Sequence, residues 1–382
     1  MDPDEGERLD AHGITGGAVQ DLRIINTDIH TFSGDAIQFD PNRAAPGWNN
    51  IHIEGCRFWL EPLEELTAGF LIGQVTGENA IDTKTYNDAD EAQITIIDTE
   101  AWGFRDGLDI SNQAAFLFKE NVKVTLSRVH VHNSEIAFRV RGPTSARPKG
   151  ATVHMENILV HDVDVGIRYE DELENLTIWH ATFGAGIENI FEEADSETTN
   201  PEVLNTLFYG EAGPEGETDP PSLPSEANPD GHNMLAQASD FVDALAGDHH
   251  LVGSSAAIDA ANVISGVSTD LDGMDRIIGP APDVGAYEYT GTVLSDTGSV
   301  ADTGEETEDT DTPDPTTPDE DATTLEEDDG VRGIGAAEQV GEKGGCGCHA
   351  TRIPPFMALW IFLGLIISSR RSPKNQTGQS AP

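Results

Sequence analysis

Over most of the first 210 residues, apolar and polar positions alternate in short runs, and the runs recur. A unit of small, apolar, polar and apolar-or-Thr residues reads AIQF at Ala36–Phe39, AIDT at Ala80–Thr83, GLDI at Gly107–Ile110, AFRV at Ala137–Val140 and GIRY at Gly166–Tyr169. Successive units start 44, 27, 30 and 29 residues apart. A second alternating strand precedes each one, as in IHIEG at Ile51, ITII at Ile94, VKVTL at Val122 and VHM at Val153. Alternation of period 2 marks half-buried strands, and a repeat of about 25–30 residues marks one turn of a solenoid. The pattern predicts an all-β chain, a right-handed parallel β-helix over residues 1–212, with Ile37, Ile81, Leu108, Phe138 and Ile167 in one inward stack. The irregular interval of 44 predicts an outward insertion at Trp59–Asn79.

The pattern changes after Tyr209. Residues 213–293 contain TDLDGMDRIIGPAPDVGAYEY (Thr269–Tyr289), with Phe241, Leu251, Ile258 and Tyr287 as apolar side chains able to plug the open end of the helix. From about Leu294 to Val331 the chain is Asp, Glu, Thr, Pro and Gly with hardly an apolar side chain, a composition that cannot offset ordering entropy and predicts a disordered spacer over residues 294–343. Residues 344–382 hold GGCGCHA, an apolar run from Ile353 to Ser369, and then Arg370, Arg371 and Lys374. Seventeen helical residues span about 26 Å, enough for one crossing of a thin bilayer, and the basic cluster places the far end in the cytoplasm.

Charge narrows the function. The chain has 69 acidic and 21 basic residues, a net of −48, and residues 1–293 alone hold 52 acidic and 15 basic side chains. Such a field repels nucleic acid and suits a medium where salt or divalent cations screen it. The three cysteines, Cys56, Cys346 and Cys348, leave Cys56 unpartnered in the body, so a disulfide scaffold is excluded. Residues 1–17 lack the charged-then-apolar pattern of a signal peptide and look like the middle of a repeat array, so an N-terminal truncation is expected.

Candidate chemistry follows from aligning the units. Their third residues, Gln38, Asp82, Asp109, Arg139 and Arg168, fall in one outward column with coils about 4.8 Å apart, and two residues on come Lys84, Ser111, Arg141 and Glu170. Asp82 and Asp109 at coil spacing make a half-site for Ca²⁺, the candidate cofactor. Lys84, Arg139 and Arg168 are the candidate bases for β-elimination from a uronate, in which the base takes the proton beside the sugar carboxylate. ENAIDTKT (Glu78–Thr85) is loosely similar to parallel β-helix pectate lyases. The alternative is a cross-coil ion-pair ladder, Asp109 with Arg139 and Glu170 with Arg141. Asp270, Asp272 and Asp275 begin a calcium-loop spacing, but Ala281 at the twelfth position excludes an EF-hand and leaves a local ion pinning the final turn. His130 and His132 share a strand face, with no third zinc ligand to be placed beside them. Trp48, Trp59, Trp102 and Trp179 are candidate sugar-stacking platforms.

Two resemblances add to this reading. The DxDGxxR element and PDVGAYEY resemble the terminal segment of choice-of-anchor Q surface β-helix proteins, which implies a surface protein carrying an interchangeable anchor. The spacer, GCGC, hydrophobic run and Arg cluster resemble a myxobacterial-type C-terminal sorting tail. That likeness implies export, a sorting protease acting at Cys346 and Cys348, a membrane contact through the C-terminal helix flanked by Arg370 and Arg371, and display at the cell surface or outer membrane. The function expected is a surface-anchored β-helix that binds or organises extracellular polysaccharide. The alternatives are a calcium-dependent uronate lyase and a purely structural or adhesive stalk.

Overall fold

The computed structural model describes residues 10–39, 47–66, 69–85, 90–108, 110–194, 199–210 and 222–291. Asp109, the spacer 294–343 and the segment 344–382, with Cys346, Cys348, Arg370 and Arg371, lie outside the described residues. Seventeen strands form one sheet in which every pairing is parallel and links a strand to the next coil, so the chain winds as a parallel β-helix with three faces. Face A is built from Arg23–Ile25, Ile51–Glu54, the first halves of Ala92–Trp102, Val122–Val140 and Thr152–Tyr169, then Asn175–Trp179 and Glu202–Leu204. Face B runs from Asp28–His30 and Arg57–Trp59 through the middles of the long strands to Thr182–Phe183, Leu207–Tyr209 and Met234–Ala236. Face C comprises Ile14–Gly16, Ile37–Phe39, Ile81–Thr83, Ala114–Phe118, the ends of the two longest strands, and Ile187–Glu193.

The corner between faces A and B explains how single strands can serve two faces. One residue per coil there has positive φ: Asn26 (49°), Gly55 (65°), Asp98 (49°), Arg128 (55°), Asn157 (55°), His180 (51°) and Asn205 (53°). Short polar side chains tolerate this left-handed conformation by bonding locally, and one such residue turns the chain without breaking the ladder on either side. Arg128 is unusual there and is held by a two-pronged pair with Asp98 on the preceding coil (2.5 and 2.9 Å).

Inside, identical positions stack from coil to coil. Face A contributes Ile24, Ile53, Ile96, Leu126, Met155, Ile178 and Val203, and face B contributes Phe58, Ala101, Val131, Val160, Phe183 and Phe208. Face C contributes Ile37, Ile81, Phe116, Phe138 and Ile167, each with no exposed surface. Four of the five expected members are therefore present, and Phe116 stands where Leu108 was expected. The strand of that coil is Ala114–Phe118, AAFLF, buried throughout. GLDI satisfies the four-residue pattern, but Gly107 bridges Val75 and the Leu108 N–H donates to the Val75 carbonyl (3.1 Å) instead of joining the face-C ladder. Five consecutive apolar residues bury more surface than two, and burial decides which segment enters the sheet.

The insertion after Trp59 folds back through Leu60, Leu63, Phe70 and Val75 while leaving Leu66, Leu71 and Ile72 exposed. Gly103 makes that return possible: at φ 80°, a Cβ there would lie 1.9 Å from the Leu60 carbonyl oxygen.

Leu223 and Ala227 join the main core at its late end. The rest of the terminal segment does not plug the helix as expected. Phe241, Leu251 and Ile258 form a separate cluster with Leu207, and Tyr287 packs on Leu159 with Ala286. The outward column of face B explains the position. It reads Asp28, Arg57, Glu100 and His130 in the early coils and Leu159, Thr182, Leu207 and Met234 in the later ones, so the terminal segment lies as a strap over the apolar part of that face.

The two terminal motifs lock the strap. Arg276, 2% exposed, donates to the carbonyls of Gly285 (3.1 Å) and Ala286 (2.9 Å), to Glu288 Oε1 (3.2 Å) and to Asn157 Oδ1 of the corner ladder. Asp270 accepts the N–H groups of Met274 and Glu288, and Asp283 accepts those of Asp259 and Tyr289. DxDGxxR and PDVGAYE are thus two halves of one buried polar network.

Candidate functional site

Face C carries the outward column that the repeat predicted, with one change of membership. Gln38 pairs with Asp82, Asp82 with Leu117, Leu117 with Arg139, and Arg139 with Arg168, which pairs in turn with Glu192. Leu117 thus occupies the position assigned to Asp109, and Lys119 takes the place assigned to Ser111 beside Lys84. The cause is the strand identity described above, which moves the coil's face-C residues several positions along the chain. The side chain next to Asp82 on the following coil is therefore apolar, and the expected pair of adjacent carboxylates is absent from this column.

Asp82 is 3% exposed, and its Oδ2 receives both Lys119 Nζ (3.0 Å) and Lys84 Nζ (3.3 Å). Its Oδ1 is buried and has no hydrogen-bond partner among the described residues. Behind it lies Asp35, fully buried, accepting from Gln38 (2.8 Å) and Asn79 (2.7 Å). Burial, reinforced by the charge of Asp82, pushes the Asp35 carboxyl up to about 6. Further along, Arg141 pairs with Glu170 (2.9 Å), as the ion-pair ladder anticipates, and Arg168 pairs with Glu192 (3.6 Å) and donates to Asn112.

Arg139 is the exception. It is half-buried between Arg168 and Arg141, no carboxylate among the described residues lies within ion-pair distance, and its Nε is buried without an acceptor. Burial, then the like charges of Arg141 and Arg168, lower its pKa. Five cations, Lys84, Lys119, Arg139, Arg141 and Arg168, thus line one face of a chain whose net charge is −48.

The other candidates separate. Asp270 uses both carboxylate oxygens on backbone N–H groups, Asp272 pairs with His250 Nε2 (2.8 Å), and Asp275 is exposed. Among the described residues the three carboxylates do not gather as one set of metal-ligand side chains. Among the described residues, Glu100, His130 and His132 are placed so that they could hold a metal ion. This acidic and imidazole group was legible only in part. His130 and His132 stand out in VHVHN, but aligning the preceding strands is what sets Glu100 opposite His130 and His161 opposite His132.

Three of the four tryptophans have no free stacking face. Trp48 is buried against Phe39, with ring centroids 4.7 Å apart. Trp59 is sandwiched between His30 (4.3 Å) and Trp102 (4.9 Å), and Trp102 between Trp59 and His132 (5.6 Å), all with near-parallel planes. Each of these two indoles therefore spends both faces on its neighbours and offers only an edge. Trp179 meets His154 edge-on and bonds Glu202.

No protein-family model matches the chain, and no curated protein matches it. Among solved structures it is similar to the crystal structure of pectate lyase Pel9A, at 14% identity and a TM-score of 0.36, over 72% of this chain. The chain spans 63% of that structure's length.

Proposed function

We propose that the protein is a surface-displayed β-helix that binds carboxylate-bearing polysaccharide along face C, centred on Arg139. The observation that carries this reading is the isolation of Arg139. In a chain with 69 acidic residues, this half-buried guanidinium has no carboxylate partner among the described residues. A buried guanidinium Nε without an acceptor is costly, and the planar fork of an arginine matches a carboxylate with two parallel bonds. Cations repeated at rungs about 4.8 Å apart form a track suited to a polymer. Display at the surface is supported by the composition of residues 294–343 and by Cys346, Cys348, Arg370 and Arg371.

Calorimetry with oligogalacturonate tests the reading. Arg139→Ala should weaken binding at least tenfold, Arg139→Lys should restore part of it, and Arg57→Ala on face B should change nothing. Because the overall charge repels a polyanion at long range, affinity should rise as salt increases from about 10 to about 100 mM. Equal affinity of Arg139→Ala and wild type would sink the proposal.

The placement of Arg139 among Lys84, Lys119, Arg141 and Arg168 favours one second reading, a lyase in which Arg139 takes the proton beside the uronate carboxylate. Lys84, paired with Asp82, would then supply charge rather than act as the base. Appearance of unsaturated-product absorbance, lost in Arg139→Ala, distinguishes the lyase from a binder, and running the assay with and without EDTA tests the calcium requirement.

A further inference from the structure

The outer surface of face B carries one ring per coil, His30, Trp59, Trp102, His132 and His161, and His249 of the strap continues it at 5.1 Å from His161. Beside this ladder, His130 lies 4.8 Å from His132 and 5.1 Å from His161, ring to ring. Two of these imidazoles converge on one carboxylate oxygen. Glu100 Oε1 lies 3.3 Å from His130 Nδ1 and 3.2 Å from His132 Nε2. His–Glu pairs occur elsewhere on the surface, at His52 with Glu54 and His154 with Glu156, but among the described residues only Glu100 gathers two imidazoles.

We propose that Glu100, His130 and His132 bind a divalent transition metal of the zinc type. Two observations carry this. First, the donor atoms lie within 4.8 Å of one another, and the two contacts to Oε1 match the edge of a tetrahedron with bonds of about 2.0–2.1 Å, which is about 3.3 Å long. Second, the donor set is two nitrogens and one oxygen, which suits zinc or its neighbours and not Ca²⁺, whose ligands are oxygens.

The surroundings preorganise the site. Stacking on Trp102 and His161 fixes the plane of the His132 ring. Glu100 and His130 line an open pocket of about 420 Å³ whose far wall is Leu271, Asp272 and Tyr287 of the strap. Three protein ligands beside an open pocket leave the fourth coordination position to water or to a small anionic ligand. This site lies on face B and does not rest on the polysaccharide reading of face C.

The test uses the full chain, stripped with chelator. Cys346, Cys348 and His349 are a second set of metal-binding side chains in the sequence, so Cys346→Ser/Cys348→Ser is the parent for every measurement. Calorimetric titration with Zn²⁺ should give one equivalent at micromolar affinity or tighter, with a rise in melting temperature. Co²⁺ should give the visible absorption of a four-coordinate site with imidazole ligands. Glu100→Gln and His132→Ala should each weaken binding at least tenfold, and Glu100→Gln, nearly isosteric, guards against loss of fold. His154→Ala, at the two-ligand pair on face A, should bind like the parent. No zinc uptake by the parent, unchanged affinity in Glu100→Gln, or an equal loss in His154→Ala would each overturn the assignment.

Discussion

Arg276 should be the residue on which attachment of the strap depends most. Arg276→Met fills much of the volume but removes the donors to Gly285 O, Ala286 O, Asn157 Oδ1 and Glu288 Oε1 at once. Glu288 is 4% exposed, so its carboxylate loses its counter-ion where water cannot replace it. Breaking a buried pair by removing one partner costs about 3–5 kcal/mol. Because the network joins the strap to the coils through Asn157, the cost falls on strap opening, and the coils keep their own stacks. At about 1.4 kcal/mol per factor of ten, 3 kcal/mol corresponds to amide exchange roughly a hundredfold faster. The reporters are the N–H groups of Leu271, bonded to Ala286 O (2.9 Å), Val284, bonded to Ala257 O (3.0 Å), and Gly285, bonded to Asn205 O (2.9 Å). Hydrogen exchange read by mass spectrometry should show these accelerated, with Ile53, Ile96 and Leu126 unchanged. Adding Glu288→Gln should recover part of the loss, since the amide oxygen still accepts the Asp283 N–H without a buried charge. Strap protection in Arg276→Met equal to wild type would refute the argument, as would acceleration spread evenly through the coils.

Two further predictions concern register and pH. Phe116→Ala should cost about 3–5 kcal/mol in denaturant unfolding and half-buried Leu108→Ala about 1 kcal/mol, and the reverse order would show that GLDI, not AAFLF, is the strand. His250 is raised to about 9 by its bond to Asp272, against the effect of burial and with help from Asp248. A raised folded pKa contributes stability that is complete below the unfolded value of about 6.5 and is lost as pH rises towards 9. The melting temperature of wild type should therefore fall relative to His250→Gln between pH 6.5 and 9, and parallel curves would remove His250 as the cause.

The sequence by itself determined the solenoid, the long interval after Trp59 and four of the five members of the face-C stack, because inward stacking imposes the same alternation on every coil. The change of pattern after Tyr209 also set the terminal segment apart, while its two motifs stood out only through a family resemblance. Which segment fills a coil was decided by the tertiary structure. GLDI fits the repeat pattern and AFLF departs from it at Leu117, yet the sum of buried surface across neighbouring coils selects the second. That single choice replaces Asp109 by Leu117 beside Asp82 and brings Lys119 next to Lys84. The isolation of Arg139 and the meeting of Glu100 with His130 and His132 were decided the same way, since both depend on residues about 30 positions apart whose pairing is set by register. The sheet's alternation is a property of one strand and can be read along the chain. Lateral neighbours are a property of two coils, and loops of unequal length between them hide the pairing until the coils are stacked.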